Sequence, residues 1–114
     1  MKENIGTVEY ASMLYDFYGP LLSESQLEVM TMYHEDNLSL SEIAEELGMT
    51  RQAVHYTLKK AEARLEEYDS KLKLVDTYRH NQEIAEQAIG MMNKTDITDS
   101  DKVAIIEIIK KLAE

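Results

Sequence analysis

The sequence contains no cysteine, which excludes disulfides and cysteine-ligated zinc. It has one proline and four glycines, too few turn formers for a fold of many short strands. No apolar run approaches the ~20 residues of a membrane span. The opening MKENIGTVEY has no basic stretch leading into an apolar core, so no secretory signal is expected and the expected location is the cytoplasm. Catalytic signatures are missing too. There is no glycine-rich phosphate loop, and no histidine stands in a nucleophile pattern, so neither an enzyme nor a cofactor is expected. Asp96, Asp99 and Asp101 lack the glycine and glutamate that a calcium loop requires, and read as capping acids near a helix start. His34 has no ligand partner four residues on and reads as a helix-end residue; no metal is expected. Bases are scarce in the first half: residues 1–49 hold ten acids and one base, against a net charge of −10 for the whole chain. Such a balance argues against indiscriminate nucleic-acid binding, which phosphate attraction dominates.

What the sequence does have is 44% hydrophobic and 30% charged residues over 114 positions, enough for one core with an appendage. The most informative stretch is Leu38–Arg64, LSLSEIAEELGMTRQAVHYTLKKAEAR. Ser39 or Ser41 can cap a helix that buries Ile43, Ala44 and Leu47. Gly48 supplies a residue tolerant of positive φ where the chain must turn sharply. Thr50 then caps a second helix, from which Val54 and Leu58 face back toward small Ala44. This is the spacing of a helix-turn-helix.

On the second helix, a 100° projection gathers Val54, Leu58, Ala61 and Leu65 into one sector. Gln52, Tyr56 and Lys59 lie opposite, flanked by His55 and Lys60, with Thr50 and Arg51 at the N-terminal edge. Donors, a stacking ring and cations are the side-chain types that hold phosphates and read bases, so these seven residues form the candidate nucleic-acid face. Residues 50–80 are the one net-positive segment, at +2.

The rest of the chain reads as helices. Tyr10, Met13, Leu14 and Phe17 give a core stripe over about residues 7–18, widened by Tyr15 and Tyr18 and ended by Gly19-Pro20. Ser23 and Gln26 form a capping box ahead of Leu27 and Met30. Beyond the helix-turn-helix the apolar steps continue through Leu65, Tyr68, Leu72 and Val75, a heptad-like seam expected either to pair two copies as a homodimer or to pack on the chain's own C-terminal helices. The loss of apolar residues at Thr77–Asn81 predicts a break or bend there, followed by a helix over about 82–92. A last helix carries Val103, Ile105, Ile106, Ile108, Ile109 and Leu112, a surface too broad to stand uncovered. The expected organisation is residues 1–75 with the helix-turn-helix at 38–64, and an appendage at 76–114 belonging to the same domain or to a dimer interface.

Leu21–Val75, together with the YDFYGPLL run at Tyr15–Leu22 and the LEEY at Leu65–Tyr68, resembles the YlxM family of small bacterial proteins. That family is itself similar to the promoter-reading fourth region of sigma-70-type factors. The resemblance implies an all-α, sigma-70 region-4-like helix-turn-helix bundle with a long recognition and dimerisation helix followed by C-terminal helices. It also implies a role beside the bacterial signal recognition particle, through its RNA or its GTPase. His55 and Tyr56 depart from the family's usual residues at these positions. Three functions are compatible with the sequence: a nucleic-acid-binding accessory of that particle, a regulator reading duplex promoter DNA, and a protein-interaction module that no longer binds nucleic acid.

Overall fold

The computed structural model describes residues 8–113, an all-α chain of six α-helices with no strand among the described residues. They are α1 (Val8–Tyr18), α2 (Glu24–His34), α3 (Leu40–Leu47), α4 (Arg51–Leu72), α5 (Leu74–Met92) and α6 (Asp99–Lys110). The expected helix start at Thr7 lies outside the described residues. The chain divides into two compact units between Val75 and Asp76.

In the first unit, α1 to α4 surround a core of Leu14, Tyr18, Leu22, Val29, Met30, Ile43, Val54, Leu58, Ala61, Leu65 and Val75. Each large aliphatic side chain taken from water here contributes roughly 1.5–3 kcal/mol. The stripe expected on α1 is there, but Tyr18, read as its margin, is fully buried. Gly19-Pro20 does not stop the chain from turning. It tightens into a 3-10 turn over Gly19–Leu21, since the fixed φ of Pro20 suits a first helical position. Ser23 and Gln26 then form the expected capping box of α2, the Ser23 Oγ accepting from the Gln26 N–H at 3.2 Å.

The long seam departs from expectation at two places. First, α4 and α5 are separated by Lys73 alone, which sits in the left-handed region at φ 55. Left-handed backbone costs a non-glycine residue roughly 1–2 kcal/mol, so the surroundings must hold it. They do so through Asp69. Its Oδ1 accepts from the Tyr18 hydroxyl at 2.6 Å and from the Val75 N–H at 3.2 Å, and its Oδ2 accepts from the Tyr10 hydroxyl at 3.3 Å. The Leu74 N–H in turn donates to the Tyr18 oxygen at 3.0 Å. Two otherwise orphaned N–H groups at the start of α5 are thus satisfied by α1 and α4. Second, the break expected at Thr77–Asn81 is absent: these residues are continuous helix. Their polar side chains mark a solvent-exposed stretch of α5, and exposure does not require the backbone to bend.

The Tyr18–Asp69 bond and burial also set the acidity of Tyr18. Its hydroxyl is pushed up to about 12, first by burial and then by the hydrogen bond to Asp69.

His34 ends α2, its ring stacked 6.4 Å from Tyr15 and edge-on to Tyr33 at 5.1 Å. Its Nε2 is buried without a hydrogen-bond partner. Burial pulls the imidazole below its ordinary pKa, against a weaker opposing pull from Glu62. The folded chain therefore holds His34 neutral, while the unfolded chain protonates it near the usual ~6.5. Stability is expected to fall as pH drops below about 6.5, because the unfolded state then binds the extra proton. Thermal melts at pH 7.5 and 5.5 check this: His34→Gln should show a smaller acid loss than the parent protein.

The second unit contains the rest of α5, a turn at 93–98, α6 and a 3-10 turn over Lys111–Ala113. Thr98 caps α6 with a capping box: its Oγ1 accepts from the Asp101 N–H at 3.0 Å, and its own N–H donates to Asp101 Oδ2 at 3.1 Å. That backbone bond, followed by Lys94 at 3.2 Å, holds the Asp101 carboxyl below the usual carboxylate range. Asp101 is thus a capping acid. Among the described residues no group of histidines and carboxylates gathers as a metal site.

Candidate nucleic-acid interface

The candidate face is positioned from the turn upward. Ser39, and not Ser41, caps α3, its Oγ accepting from the Glu42 N–H at 3.1 Å while the Glu42 carboxylate accepts from the Ser39 N–H at 2.8 Å. Gly48 adopts φ 65, a conformation a β-carbon would strain. The Met49 N–H then closes back on the Ala44 carbonyl at 2.9 Å. Thr50 opens α4, its Oγ1 accepting from the Ala53 N–H at 3.0 Å, a cap that contributes about 1 kcal/mol. Ile43, Ala44, Val54 and Leu58 are buried where α3 and α4 pack. Small Ala44 lets the two helices approach, and this lock fixes the rotation of α4 about its axis.

That rotation turns Arg51, Gln52, His55, Tyr56, Lys59 and Lys60 outward, and Thr50 with them; all seven are exposed. They are not equivalent. The Thr50 oxygen is engaged as the helix cap, so only its hydroxyl proton remains to meet a phosphate. Lys59 forms an ion pair with Glu62 at 3.4 Å, which weakens its field. Lys60 lies 5.7 Å from the centre of the Tyr56 ring, a cation–π pair on a ring that is 65% exposed. Arg51 extends from the N-terminal edge, where the helix dipole also favours an anion. The face thus offers Arg51 and Lys60 as charges, Gln52 and His55 as hydrogen-bonding groups and Tyr56 as a stacking surface. Against it stand Glu42, Glu45 and Glu46, exposed on the preceding helix α3.

One more cation continues the line. The Arg64 guanidinium lies 5.6 Å from the Tyr68 ring and donates to its hydroxyl at 3.3 Å, and that hydroxyl donates to the Leu21 carbonyl at 3.3 Å. Arg64 was not among the expected residues of the face. Its position on α4, four residues past Lys60, is the signal that would have included it.

The residues expected to form a dimer seam are divided by the structure. Leu65 is 0% exposed and Val75 1% exposed, both within the chain's own core. Tyr68 packs against that core and stacks 6.1 Å from Tyr18. Only Leu72, 55% exposed, is left outward. The heptad spacing therefore reflects α4 packing inside its own unit, on α1 and α2 and not on the C-terminal helices, and Leu65 and Val75 are corrected to core residues.

A short capped helix, a left-handed glycine turn and a second helix presenting a polar, cationic and aromatic face define a helix-turn-helix protein. The comparison with known proteins agrees. Residues 6–112 match the family model UPF0122, "Putative helix-turn-helix protein, YlxM / p13 like", and the chain belongs to this family. It is 42% identical over 113 residues to a UPF0122 protein of Clostridium acetobutylicum, covering 97% of this chain and 94% of the relative. It is 37% identical over 99 residues to UPF0122 proteins of Bacillus mycoides and of Bacillus cereus, covering 87% of this chain and 90% of each. The family's description is that of a helix-turn-helix protein. Among the described residues, no helix is long and apolar enough to cross a membrane.

Proposed function

We propose that this chain is a regulatory nucleic-acid-binding protein that performs no catalysis. In this reading it acts in the cytoplasm, as a homodimer, beside the signal recognition particle, whose RNA or GTPase it contacts. The observation that carries the nucleic-acid part is the exposed outward face of α4, where Arg51, Gln52, His55, Tyr56 and Lys60 line up over a buried Val54–Leu58–Ala61 underside. Support for the particle rests on the family resemblance. A second reading, recognition of duplex promoter DNA, draws on the same face and on its helix-turn-helix geometry. A third, docking to a protein without nucleic acid, is favoured by Glu42, Glu45 and Glu46 on α3, which would repel a phosphate backbone laid across that helix.

Fluorescence anisotropy with a folded signal-recognition RNA and with duplex promoter DNA, each at two salt concentrations, separates these. The RNA is expected to bind more tightly than the duplex. Arg51→Ala or Lys60→Ala should weaken binding and reduce the salt slope by about one for each phosphate no longer held. Tighter binding to the duplex would favour the second reading. Binding to neither, with capture of the GTPase, would favour the third.

A further inference from the structure

The second unit is an unfinished helical core. Among its described residues, only Ile84, Ala88 and Ile105 are buried. Ile89, Met92, Ile97, Ile106, Ile109 and Leu112 are between 36% and 56% exposed. Met92, Ile97, Ile106 and Ile109, with Ile105 at the floor and Lys102 at the rim, line one open groove of about 390 Å³.

We infer that this groove is the surface on which two copies of the chain pair, α5 and α6 of one copy closing against α5 and α6 of the other; this rests on the homodimer reading above and gives it a location. The area is the first reason. The exposed apolar side chains leave on the order of 500 Å² uncovered, at the upper end for a monomer. Two such faces together bury about 1,000 Å², the least that a specific interface must clear. Size is the second. A unit of fewer than about 40 residues needs disulfides, a metal or oligomerisation to hold a core. This chain has no cysteine, and the described residues offer no cluster of metal ligands. One two-fold contact that lays α6 and the end of α5 on their counterparts closes both grooves at once. Charge is the third. Residues 76–114 carry five bases and eight acids, a net −3, so this face meets its copy against little repulsion. Residues 1–49, at ten acids to one base, would not.

Sedimentation equilibrium of the full chain tests the pairing. The parent protein is expected to be a dimer. Ile106→Lys, which puts a charge in the groove, should raise the dimer dissociation constant by about a hundredfold, while Leu72→Lys, on the exposed end of α4, leaves it unchanged. Should Ile106→Lys lose helicity, Ile109→Gln serves instead, with a rise of about tenfold. A parent that stays monomeric at the highest concentration overturns the inference and the homodimer reading together, whether its groove closes on its own chain or on another protein. A dimer that Leu72→Lys splits and the groove variants do not overturns the inference alone. Nucleic-acid affinity is read in a separate titration, so failure here leaves the nucleic-acid reading standing.

Discussion

Leu65→Lys is expected to unfold the first unit and not to split a dimer. Leu65 is 0% exposed, surrounded by the core that α1, α2 and α4 share. An ammonium placed there has no carboxylate made ready for it, and an unpaired buried charge costs several kcal/mol. A domain of this size has only about 5–15 kcal/mol of total stability. At about 4–8 °C per kcal/mol, the midpoint of thermal unfolding should fall by more than ~15 °C, or the cooperative transition should vanish. Leu72→Lys, seven residues along the same seam but 55% exposed, should change stability by no more than about 0.5 kcal/mol. Circular dichroism melts of the two variants side by side check the contrast. If Leu65→Lys melted like the parent protein, Leu65 could not lie in the core of α1, α2 and α4.

Asp69→Ala is the second large effect. One carboxylate accepts from two tyrosine hydroxyls and from the Val75 N–H at the only interruption between α4 and α5. Hydrogen bonds to a charged acceptor contribute about 1.5–3 kcal/mol each when formed in a partly buried place, and these are not additive. A loss of about 2–4 kcal/mol is expected, with a midpoint lowered by about 10–20 °C. Tyr18 gives a second readout. In the parent protein its pKa of about 12 lies above the ordinary ~10, so folding stability should decline as pH rises from about 10 toward 12, where the unfolded chain has already lost the proton. Ultraviolet titration should show Tyr18 ionising late. In Asp69→Ala that tyrosine should ionise earlier, though not at 10, because burial, the larger cause, remains.

The helix-turn-helix was legible in the sequence, apart from which of Ser39 and Ser41 caps its first helix, because each of its parts is local. A capping serine, a glycine that must take positive φ and a capping threonine each act within four residues, and Ser39, Gly48 and Thr50 all do what their types predict. The outward face followed from the helical period alone. What was not legible depends on contacts distant in the chain. Asp69 meets Tyr18 across 51 residues and Tyr10 across 59, and nothing near Asp69 names those partners. Lys73 is not a residue type that announces a left-handed break; glycine or asparagine would have. A seam of apolar steps likewise does not say what covers it. The same spacing serves a second copy or the chain's own α1, and here Leu65 and Val75 went to the core. At Thr77–Asn81 the lost periodicity was real, but it recorded exposure and not the end of a helix.

If the outward side of α4 is the surface that meets nucleic acid, binding must perturb that side first. Backbone amide NMR of the full chain, titrated with folded signal-recognition RNA, observes this directly. Shifts are expected to concentrate at Arg51–Lys60, with Tyr56 and His55 among the largest, and to leave α1 little changed. Shifts confined to other helices while Arg51–Lys60 stays unperturbed would contradict this assignment of the α4 face.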